Sequence, residues 1–352
     1  MANLIITHRN SFFCLVILFV GVLSAAGQGH RFRLVEYNVE NLFDTIHAEG
    51  RSDLDFTPNG IYHWDTRKYW HKLRMLSATI AGLGGTMPAD LVALCEVEGE
   101  NVLKDLVRHT SLRRLGYEYL ITQSKDPRGV NVALLYQPLR FRPFKRRDIH
   151  VDFNAKKERP TRDILYISGI IPTGDTLDVF VCHLPSRSGG AKSSSKYRER
   201  AARAIYQEVC ALRHFRSRPN IVITGDFNDE YTDLSIRKSL QAKPMSKVDA
   251  SRADSMQLVV LSANRKTDNG IEGSYKFQGR WNQLDQIIVN ARLLRADQPF
   301  YTSDGDCRIG YLPYLCEPDD DGFGLHPRRT YLGSHYHGGL SDHLPMICDF
   351  FY

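Results

Sequence analysis

Two short motifs hold the residues best suited to chemistry. Residues 341–345 read Ser-Asp-His-Leu-Pro, and residues 225–228 read Gly-Asp-Phe-Asn directly after the apolar run Ile221 to Ile223. Together they place two carboxylates, a carboxamide and an imidazole at the ends of predicted strands. These are the side chains that metal-assisted cleavage of a phosphoester requires.

Other polar residues stand at the ends of further strand-like runs. Asn38 and Glu96 each end an apolar run, His183 ends a third, and Asp285 opens a fourth. Taken singly, each is typical of a turn or of a solvated strand end. Taken together with the two motifs, they indicate a common site.

The residue types suit a divalent cation beside a phosphate. A hard cation such as Mg²⁺ usually takes one or two carboxylates from a protein, and Glu96 with Asp342 or Asp226 could supply them. Asn38 and Asn228 can donate hydrogen bonds to phosphate oxygens without adding negative charge.

His343 supplies the imidazole. An imidazole can take a proton from water near neutral pH, and it works best when a carboxylate orients its other nitrogen. Asp285 is our candidate for that carboxylate.

The composition is that of a folded and mildly basic protein. The 352 residues are 42% hydrophobic and 24% charged, which supplies a large core and excludes a disordered or fibrous chain. The formal charge of +6 suits an anionic substrate but does not require one. Because no Pro- or Ser-rich linker divides the chain, we predict one catalytic domain over residues 28–352.

The N-terminal segment has the pattern of a secretory signal. Arg9 precedes an uninterrupted apolar stretch, residues 12–23, which gives way to small residues. The stretch is short for a bilayer span, and Cys14 lies inside it, so a cleaved signal over residues 1–27 is favoured over an anchor. We therefore expect an exported protein, periplasmic or extracellular, without stable membrane insertion. The oligomeric state is left open.

Cysteine usage is compatible with export. Removal of the signal leaves six cysteines, an even number, in an oxidising compartment. Cys307 and Cys316 lie in one Gly-, Pro- and Asp-rich loop and could form a bridge. The other four lie in apolar runs, where a buried free thiol is the commoner state.

Strand-like runs dominate the rest of the chain. They occur at residues 32–38, 91–97, 117–122, 130–136, 164–171, 177–183, 221–224, 284–290 and 344–350. A Pro-Thr-Gly-Asp turn at residues 172–175 predicts an antiparallel hairpin between two of these runs.

Two amphipathic helices are predicted between the strands. Apolar residues recur at helical spacing from Tyr69 to Leu83, with Asp65 or Thr66 as the cap. They do so again from Tyr197 to Phe215, behind a run of three serines that starts at Ser193. The mixture favours one α/β domain of two packed sheets with helices outside.

Six motifs, in this order, resemble the endonuclease/exonuclease/phosphatase superfamily, which has the fold of pancreatic deoxyribonuclease. They lie at residues 37–44 (YNVENLFD), 94–98 (LCEVE), 183–187 (HLPSR), 225–228 (GDFN), 284–287 (LDQI) and 341–345 (SDHLP). The resemblance spans nearly the whole chain after the signal. It implies a four-layer α/β/β/α sandwich of two packed mixed β-sheets flanked by helices, with the site at one edge.

The resemblance also implies roles for the acidic and amide residues. Glu96 would be the principal metal ligand, with Asn38 beside it and Asp342 assisting. Asp226 and Asn228 would bind metal or phosphate and orient the attacking water.

The two histidines would act on the phosphate. His343, paired with Asp285, would be the base or the transition-state stabiliser, and His183 would face the phosphate and protonate the leaving oxygen. Because the abasic-site repair branch lacks the equivalent of His183, the chain is more similar to the deoxyribonuclease, sphingomyelinase and inositol-phosphatase branches. The glutamate that partners this histidine in deoxyribonuclease has no recognisable counterpart in the sequence.

Three residues are candidates for binding the substrate phosphate. Arg162 precedes a strand and resembles an arginine that some members of the superfamily aim at phosphate. Ser186 and Arg187 lie in a Gly- and Ser-rich loop that leads into a helix N-terminus, a favourable arrangement for an anion.

The sequence therefore predicts a secreted phosphodiesterase that uses Mg²⁺ or Mn²⁺, with Ca²⁺ as an alternative. Similar loops occur in secreted bacterial nucleases of the superfamily, which favours an endonuclease acting on nucleic acid. The alternatives are a sphingomyelinase-like phospholipid phosphodiesterase, an inositol-type phosphatase, and an inactive binding protein on the same scaffold. Against the last, no expected catalytic position is replaced.

Overall fold

The computed structural model describes residues 29–153, 161–319 and 324–352. The predicted signal segment, residues 1–27, lies outside these ranges. Among the described helices, none has the length and apolar character needed to cross a membrane.

The described residues form nineteen strands and three α-helices. The strands are β1 (Arg31–Leu42), β2 (Leu91–Val97), β3 (Glu118–Ile121), β4 (Asn131–Tyr136), β5 (Arg142–Ile149), β6 (Ile164–Ile170), β7 (Thr176–His183), β8 (Asn220–Asp226), β9 (Lys243–Pro244), β10 (Leu258–Val260), β11 (Tyr275–Phe277), β12 (Arg280–Asn282), β13 (Asp285–Asn290), β14 (Cys307–Ile309), β15 (Cys316–Pro318), β16 (Leu325–Pro327), β17 (Tyr331–Leu332), β18 (His335–Tyr336) and β19 (Met346–Phe351). The α-helices are α1 (Thr66–Gly84), α2 (Glu100–His109) and α3 (Ala191–Leu212).

Two large mixed sheets occupy the centre of the fold. The first has six strands in the order β14-β19-β1-β2-β4-β3, and the second has seven in the order β5-β6-β7-β8-β13-β10-β9. Strands β1 and β2 run parallel, as do β7 and β8, whereas β6 and β7 form the predicted antiparallel hairpin. Strand β8 is buried along its whole length and β2 at every residue except Glu96, which explains why both strands are apolar runs in the sequence.

The helices lie outside the sheets. Leu73 and Leu76 of α1 belong to the core cluster of the first sheet, and Ala201 and Ile205 of α3 belong to that of the second. Apolar residues of β1, β7 and β13 also share one cluster, which is the core between the sheets. The predicted four-layer sandwich is therefore confirmed.

The two helix predictions differ in accuracy. Helix α1 begins at Thr66, and the side chain of Asp65 accepts a hydrogen bond from the Lys68 N–H at 2.8 Å, as predicted for a cap. Helix α3 begins at Ala191, so the serines lie inside its first turns rather than before it. The hydroxyl of Ser194 donates to the Gly190 carbonyl at 2.7 Å, which accommodates a serine there. Phe215 lies beyond the end of the helix and is 71% exposed.

Candidate active site

Adjacent strands of the second sheet end at the same level. His183 at the end of β7 lies opposite Asp226 at the end of β8, and Asp226 lies opposite Asp285 at the start of β13. In the first sheet, Asn38 pairs with Cys95, so Glu96 follows one position further along β2. Because the sheets pack face to face, side chains from distant parts of the sequence converge at one edge.

Gly225 fixes the approach of β8 to β7. Its φ angle is +135°, and a Cβ atom at this position would lie 1.8 Å from the carbonyl oxygen of Cys182. Any other residue would force the strands apart. The glycine before Asp226 therefore sets the position of that carboxylate.

Several site residues have left-handed backbone conformations without being glycine. Glu40, Asn41, Glu96 and Asn228 have φ angles of 46°, 51°, 66° and 51°. Such conformations are uncommon for a glutamate and cluster at functional sites, where the surrounding structure holds them. In Glu96 the turn directs the carboxylate to the Asn41 N–H, which donates to it at 2.8 Å.

His343 and Asp285 form a buried pair, as predicted. The Nδ1 atom of His343 lies 2.6 Å from Oδ2 of Asp285. Burial alone would lower the pKa of His343, but the Asp285 carboxylate, with Asp226 and Asp342, outweighs it and raises that pKa well above its ordinary value. The imidazole is therefore cationic at neutral pH.

Two asparagines hold the carboxylate of Asp226. Nδ2 of Asn38 donates to its Oδ2 at 3.0 Å, and the backbone N–H of Asn228 donates to its Oδ1 at 2.7 Å. Burial raises the pKa of Asp226 to about 7, against the lowering effect of His343. A carboxylate that titrates near neutral pH can exchange a proton with water.

His183 faces the same carboxylate from the other side. Its Nε2 lies 3.4 Å from Oδ2 of Asp226 and 3.8 Å from Oε1 of Glu96. Burial, followed by the positive charge of Arg162, lowers the pKa of His183 well below its ordinary value. Nδ1 has no hydrogen-bond partner among the described residues, so no carboxylate in that part of the chain replaces the glutamate partner known from deoxyribonuclease.

A second wall of the site is acidic. Nη2 of Arg329 contacts Asp342 at 2.9 Å, and its Nε lies 3.4 Å from Glu40. Burial first, and then the charge of Asp342, raises the pKa of Glu40 to about 7. Beneath them Lys72 is buried, donates to the Glu40 carbonyl and to Thr330, and has its pKa lowered by burial to about 8.

These carboxylates suit a divalent cation. Glu40 and Asp342 repel each other, and a cation between them would relieve that repulsion. Asp226, Asp285 and His343 also present ligand atoms within 4.8 Å of one another, but Asp285 and His343 are already bonded to each other. Glu96 and Asp342 are therefore the better candidates for binding the ion, and Glu40, which we did not predict, lies beside them.

The predicted phosphate-binding residues line the same cleft but are partly engaged. Arg162 donates to the Leu184 carbonyl at 3.0 Å and contacts Asp126 at 3.3 Å, while its Nε has no hydrogen-bond partner in the part of the chain that the structure describes. Arg187 donates from Nε to the Asn228 carbonyl at 2.7 Å and from Nη2 to Asp233 at 3.1 Å. In this conformation Arg187 supports Asn228.

The cleft is large and open. Its volume is about 1130 Å³, and it is lined by every predicted site residue except Asn38 and Asp285, which lie directly behind it. Arg128 and Arg329 add positive charge at the rim, and Tyr275 and Phe277 contribute aromatic rings. The predicted convergence is thus seen in the structure, while the role of each residue stays a prediction.

Comparison with known proteins identifies the family. The sequence profile described as "Endonuclease/Exonuclease/phosphatase family" matches residues 33–350. The chain belongs to the endonuclease/exonuclease/phosphatase family. No curated protein sequence matches it.

Solved structures of this family share the fold at low identity. An endonuclease/exonuclease/phosphatase family protein from Bacteroides thetaiotaomicron is 17% identical, with 92% of this chain and 99% of that chain covered and a TM-score of 0.55. A mannosyl-6-phosphatase of the same organism is 16% identical, with 91% and 100% covered and a TM-score of 0.55. TDP2 of D. rerio, complexed with single-strand DNA product, is 15% identical, with 92% and 99% covered and a TM-score of 0.54.

Family membership settles the class of reaction. Members of the endonuclease/exonuclease/phosphatase family are metal-dependent phosphoester hydrolases, and this chain is one of them.

Glu36 is the residue that sequence reasoning missed most completely. It lies in β1, is fully buried, and neither carboxylate oxygen has a hydrogen-bond partner among the described residues. Burial, and then the charges of Asp285 and Asp226, raises its pKa well above the ordinary value. The side chain of Glu36 is therefore protonated and neutral. It lies directly behind the pair of His343 and Asp285.

Replacing Glu36 with glutamine should increase stability at neutral and alkaline pH. The folded state holds a proton on Glu36 that the unfolded chain releases above its ordinary pKa of 4.5, so wild-type stability falls as pH rises from there towards the folded pKa. Glutamine has no proton to lose, and its melting temperature should exceed that of wild type by a margin that grows between pH 5 and pH 8.

The control for this experiment is Glu49→Gln, because Glu49 is exposed in a turn. Melting curves of the three proteins across pH, recorded without added metal, give the comparison. A margin that stays constant with pH in the Glu36 variant would show that this carboxyl is ionised in the folded protein.

Proposed function

We propose that the chain is an exported, divalent-metal-dependent phosphodiesterase that cleaves nucleic acid. The class of reaction follows from the family, whereas substrate and export are our inference. The observation that carries the proposal is the cleft itself, in which two imidazoles and a carboxylate meet beneath a rim of arginines and aromatic rings.

The chain's own residues can supply the proton transfers. Asp226 lies 3.4 Å from Nε2 of His183 and 4.0 Å from Nε2 of His343, so a phosphate between the imidazoles places a water molecule within reach of its carboxylate. With a pKa of about 7, Asp226 can accept the proton of the attacking water. Asn38 and Asn228 fix its orientation.

The two imidazoles then differ in role. His343 is cationic and anchored by Asp285, so it can neutralise charge on the phosphoryl oxygens but cannot accept a proton. Of the two roles expected for His343, a cationic imidazole therefore favours stabilisation of the transition state over action as the base. His183 is neutral, and because its Nε2 faces carboxylates, that nitrogen carries the proton and can donate it in a hydrogen bond.

A bound divalent cation would supply charge stabilisation of the transition state at this site. Glu96 and Asp342, with Glu40 beside them, are the residues we expect to hold it. The guanidinium of Arg329 contacts both Glu40 and Asp342 and so holds these two carboxyl groups in position.

Aromatic rings in the cleft and the ligand of one relative support nucleic acid as the substrate over a small phosphoester. The rings of Tyr275 and His343 lie 4.8 Å apart, and the ring of Phe277 lies 6.5 Å from Tyr275 at an interplanar angle of 13°. Phe277 is 57% exposed, so much of its side chain is available to stack on a planar group. Exposed aromatic rings beside arginine side chains are typical of single-strand binding, because bases stack on the rings and arginines contact the backbone. The relative TDP2 of D. rerio, seen with a single-strand DNA product, is consistent with this.

Substrate choice can be tested in one panel. The purified protein, with Mg²⁺ or Mn²⁺, would be incubated separately with single-stranded DNA, plasmid DNA, RNA, sphingomyelin and mannose 6-phosphate. We expect cleavage of at least one nucleic acid. Hydrolysis of sphingomyelin or of the sugar phosphate alone would instead establish a lipid phosphodiesterase or a phosphatase.

Replacing Phe277 with alanine should weaken substrate binding more than turnover. Stacking of a base on an aromatic side chain contributes roughly 1 to 3 kcal/mol, so KM for a single-stranded oligonucleotide should rise roughly 5- to 160-fold. The control is Phe215→Ala, which removes an exposed phenylalanine that does not line the cleft. Equal KM values in the two variants would remove Phe277 from the binding surface.

A further inference from the structure

Two buried cysteines face each other across neighbouring strands of the first sheet. Cys307 in β14 is directly opposite Cys348 in β19, and both side chains belong to the main core. All the described cysteines have free thiols, and the bridge that the sequence suggested, from Cys307 to Cys316, is not formed. Cys316 lies in the separate two-stranded sheet of β15 and β16 rather than opposite Cys307.

The hydrogen-bond pattern shows which kind of cross-strand pair this is. The Gly310 N–H donates to the carbonyl of Pro345, which is directly opposite it, so these two residues form a hydrogen-bonded pair. Pair types alternate along an antiparallel ladder. Three residues away, Cys307 and Cys348 must therefore form a non-hydrogen-bonded pair.

The other neighbour of β19 leads to the same result. His30 and Tyr352 exchange backbone hydrogen bonds at 2.9 and 3.1 Å, and alternation from there makes Leu34 and Cys348 a hydrogen-bonded pair. The backbone groups of Cys348 thus point to β1 and away from β14.

Non-hydrogen-bonded pairs bring their Cα atoms closest, to about 4.5 Å. A disulfide requires a Cα separation of roughly 4.4 to 6.8 Å. The backbone at this pair therefore permits a bridge without moving either strand, and the two thiols are near enough to affect each other.

We propose that Cys307 and Cys348 form a disulfide when the chain folds in an oxidising compartment. The thiolate of one attacks the sulfur–sulfur bond of a small-molecule or enzyme disulfide and expels one thiolate from it. The second cysteine thiolate then attacks the mixed disulfide and expels the other. Two electrons pass to the external disulfide, which becomes two thiols once it takes up the two protons that the cysteines release. Since both side chains are buried in the folded protein, the exchange takes place before β14 closes on β19.

The disulfide would close a loop that contains several residues of the candidate active site. The chain between the two cysteines includes Arg329, Asp342 and His343, and its ends would be covalently joined. Closing a loop of this length restricts the unfolded chain, so the oxidised protein should melt roughly 5 °C higher than the reduced protein.

Trypsin separates the relevant cysteines onto different peptides. The unfolded protein would be refolded with reduced and oxidised glutathione, unfolded again without reductant in the presence of an alkylating agent, and digested. We expect a reductant-sensitive species joining peptide 296–308, which contains Cys307, to peptide 330–352, which contains Cys348. A link from 296–308 to 309–328 would instead join Cys307 to Cys316 and overturn the proposal.

Two variants complete the experiment. Cys348→Ser should abolish the linked species and the difference in melting temperature between oxidised and reduced samples, whereas Cys210→Ser should keep both. Complete alkylation of Cys307 and Cys348 in the oxidised wild-type protein would also overturn the proposal, and would show that they are simply buried thiols.

Discussion

Replacement of His343 by alanine should lower the turnover number roughly 10²- to 10⁴-fold. The imidazolium is held by Asp285 at 2.6 Å and lies 4.0 Å from Asp226, so its loss removes the positive charge that we assign to stabilising the phosphoryl oxygens. Hydrolysis of bis-para-nitrophenyl phosphate under saturating metal gives the turnover number. Circular dichroism and the melting temperature should show an intact fold.

One further variant tests the charge of Asp285, and a second serves as a control. Asp285→Asn keeps the shape of the pair but removes the charge that raises the pKa of His343, so activity should decline as pH rises through a lower pKa than in wild type. His214→Ala removes an exposed histidine and should change nothing. Turnover in the His343 variant equal to that of wild type would eliminate this residue from the mechanism.

Loss of the divalent cation should have an effect at least as large. Chelation should abolish hydrolysis, and Mg²⁺ or Mn²⁺ should restore it. Glu40, Glu96 and Asp342 bring negative charge to the cleft, and a divalent cation would neutralise that charge and the charge that develops on the phosphate. Glu96→Gln removes one of the oxygens that we assign to the ion. The metal concentration for half-maximal activity should rise at least about 10-fold in this variant.

A second readout does not depend on catalysis. Mn²⁺ should raise the melting temperature of the wild-type protein, since an ion that binds only the folded state stabilises it. The rise should be smaller in Glu96→Gln and unchanged in the exposed control Glu49→Gln. Hydrolysis that resists exhaustive chelation would refute the metal assignment, and an equal thermal shift in both variants would move the ion away from Glu96.

The site residues that could be predicted from the sequence are those that lie at the ends of strands. A charged or amide residue at the end of an apolar run is expected at the end of a strand. Asp226, His183 and Glu96 are residues of this kind. The pairing of Asp285 with His343 was also predictable, because the imidazole needs a carboxylate and the motif order supplied one.

What could not be predicted depends on contacts between distant segments. Lys72 is a single lysine on the otherwise apolar face of α1, and only the fold shows that it lies beneath Glu40. Glu36 resembles an ordinary solvated position in a strand, because sequence alone does not show that both faces of β1 are covered. Strand β5 was missed because it is charged and largely exposed at a sheet edge.

Arg187 illustrates a limit of a different sort. A loop arginine beside a catalytic histidine predicts a phosphate contact, yet its guanidinium holds the Asn228 carbonyl and Asp233. Sequence indicates which groups could bind a phosphate, but competition from nearby protein acceptors is a property of the folded loop.

Cleavage of a phosphodiester by the metal-stripped protein, before and after addition of Mg²⁺, tests the central claim most directly. Supercoiled plasmid and a single-stranded oligonucleotide would be followed by gel electrophoresis for wild type and His343→Ala. We predict no cleavage without the ion, strand scission once it is added, and loss of that scission in the variant. Equal cleavage by both proteins, or none of either nucleic acid by wild type with Mg²⁺ or Mn²⁺ present, would contradict the account.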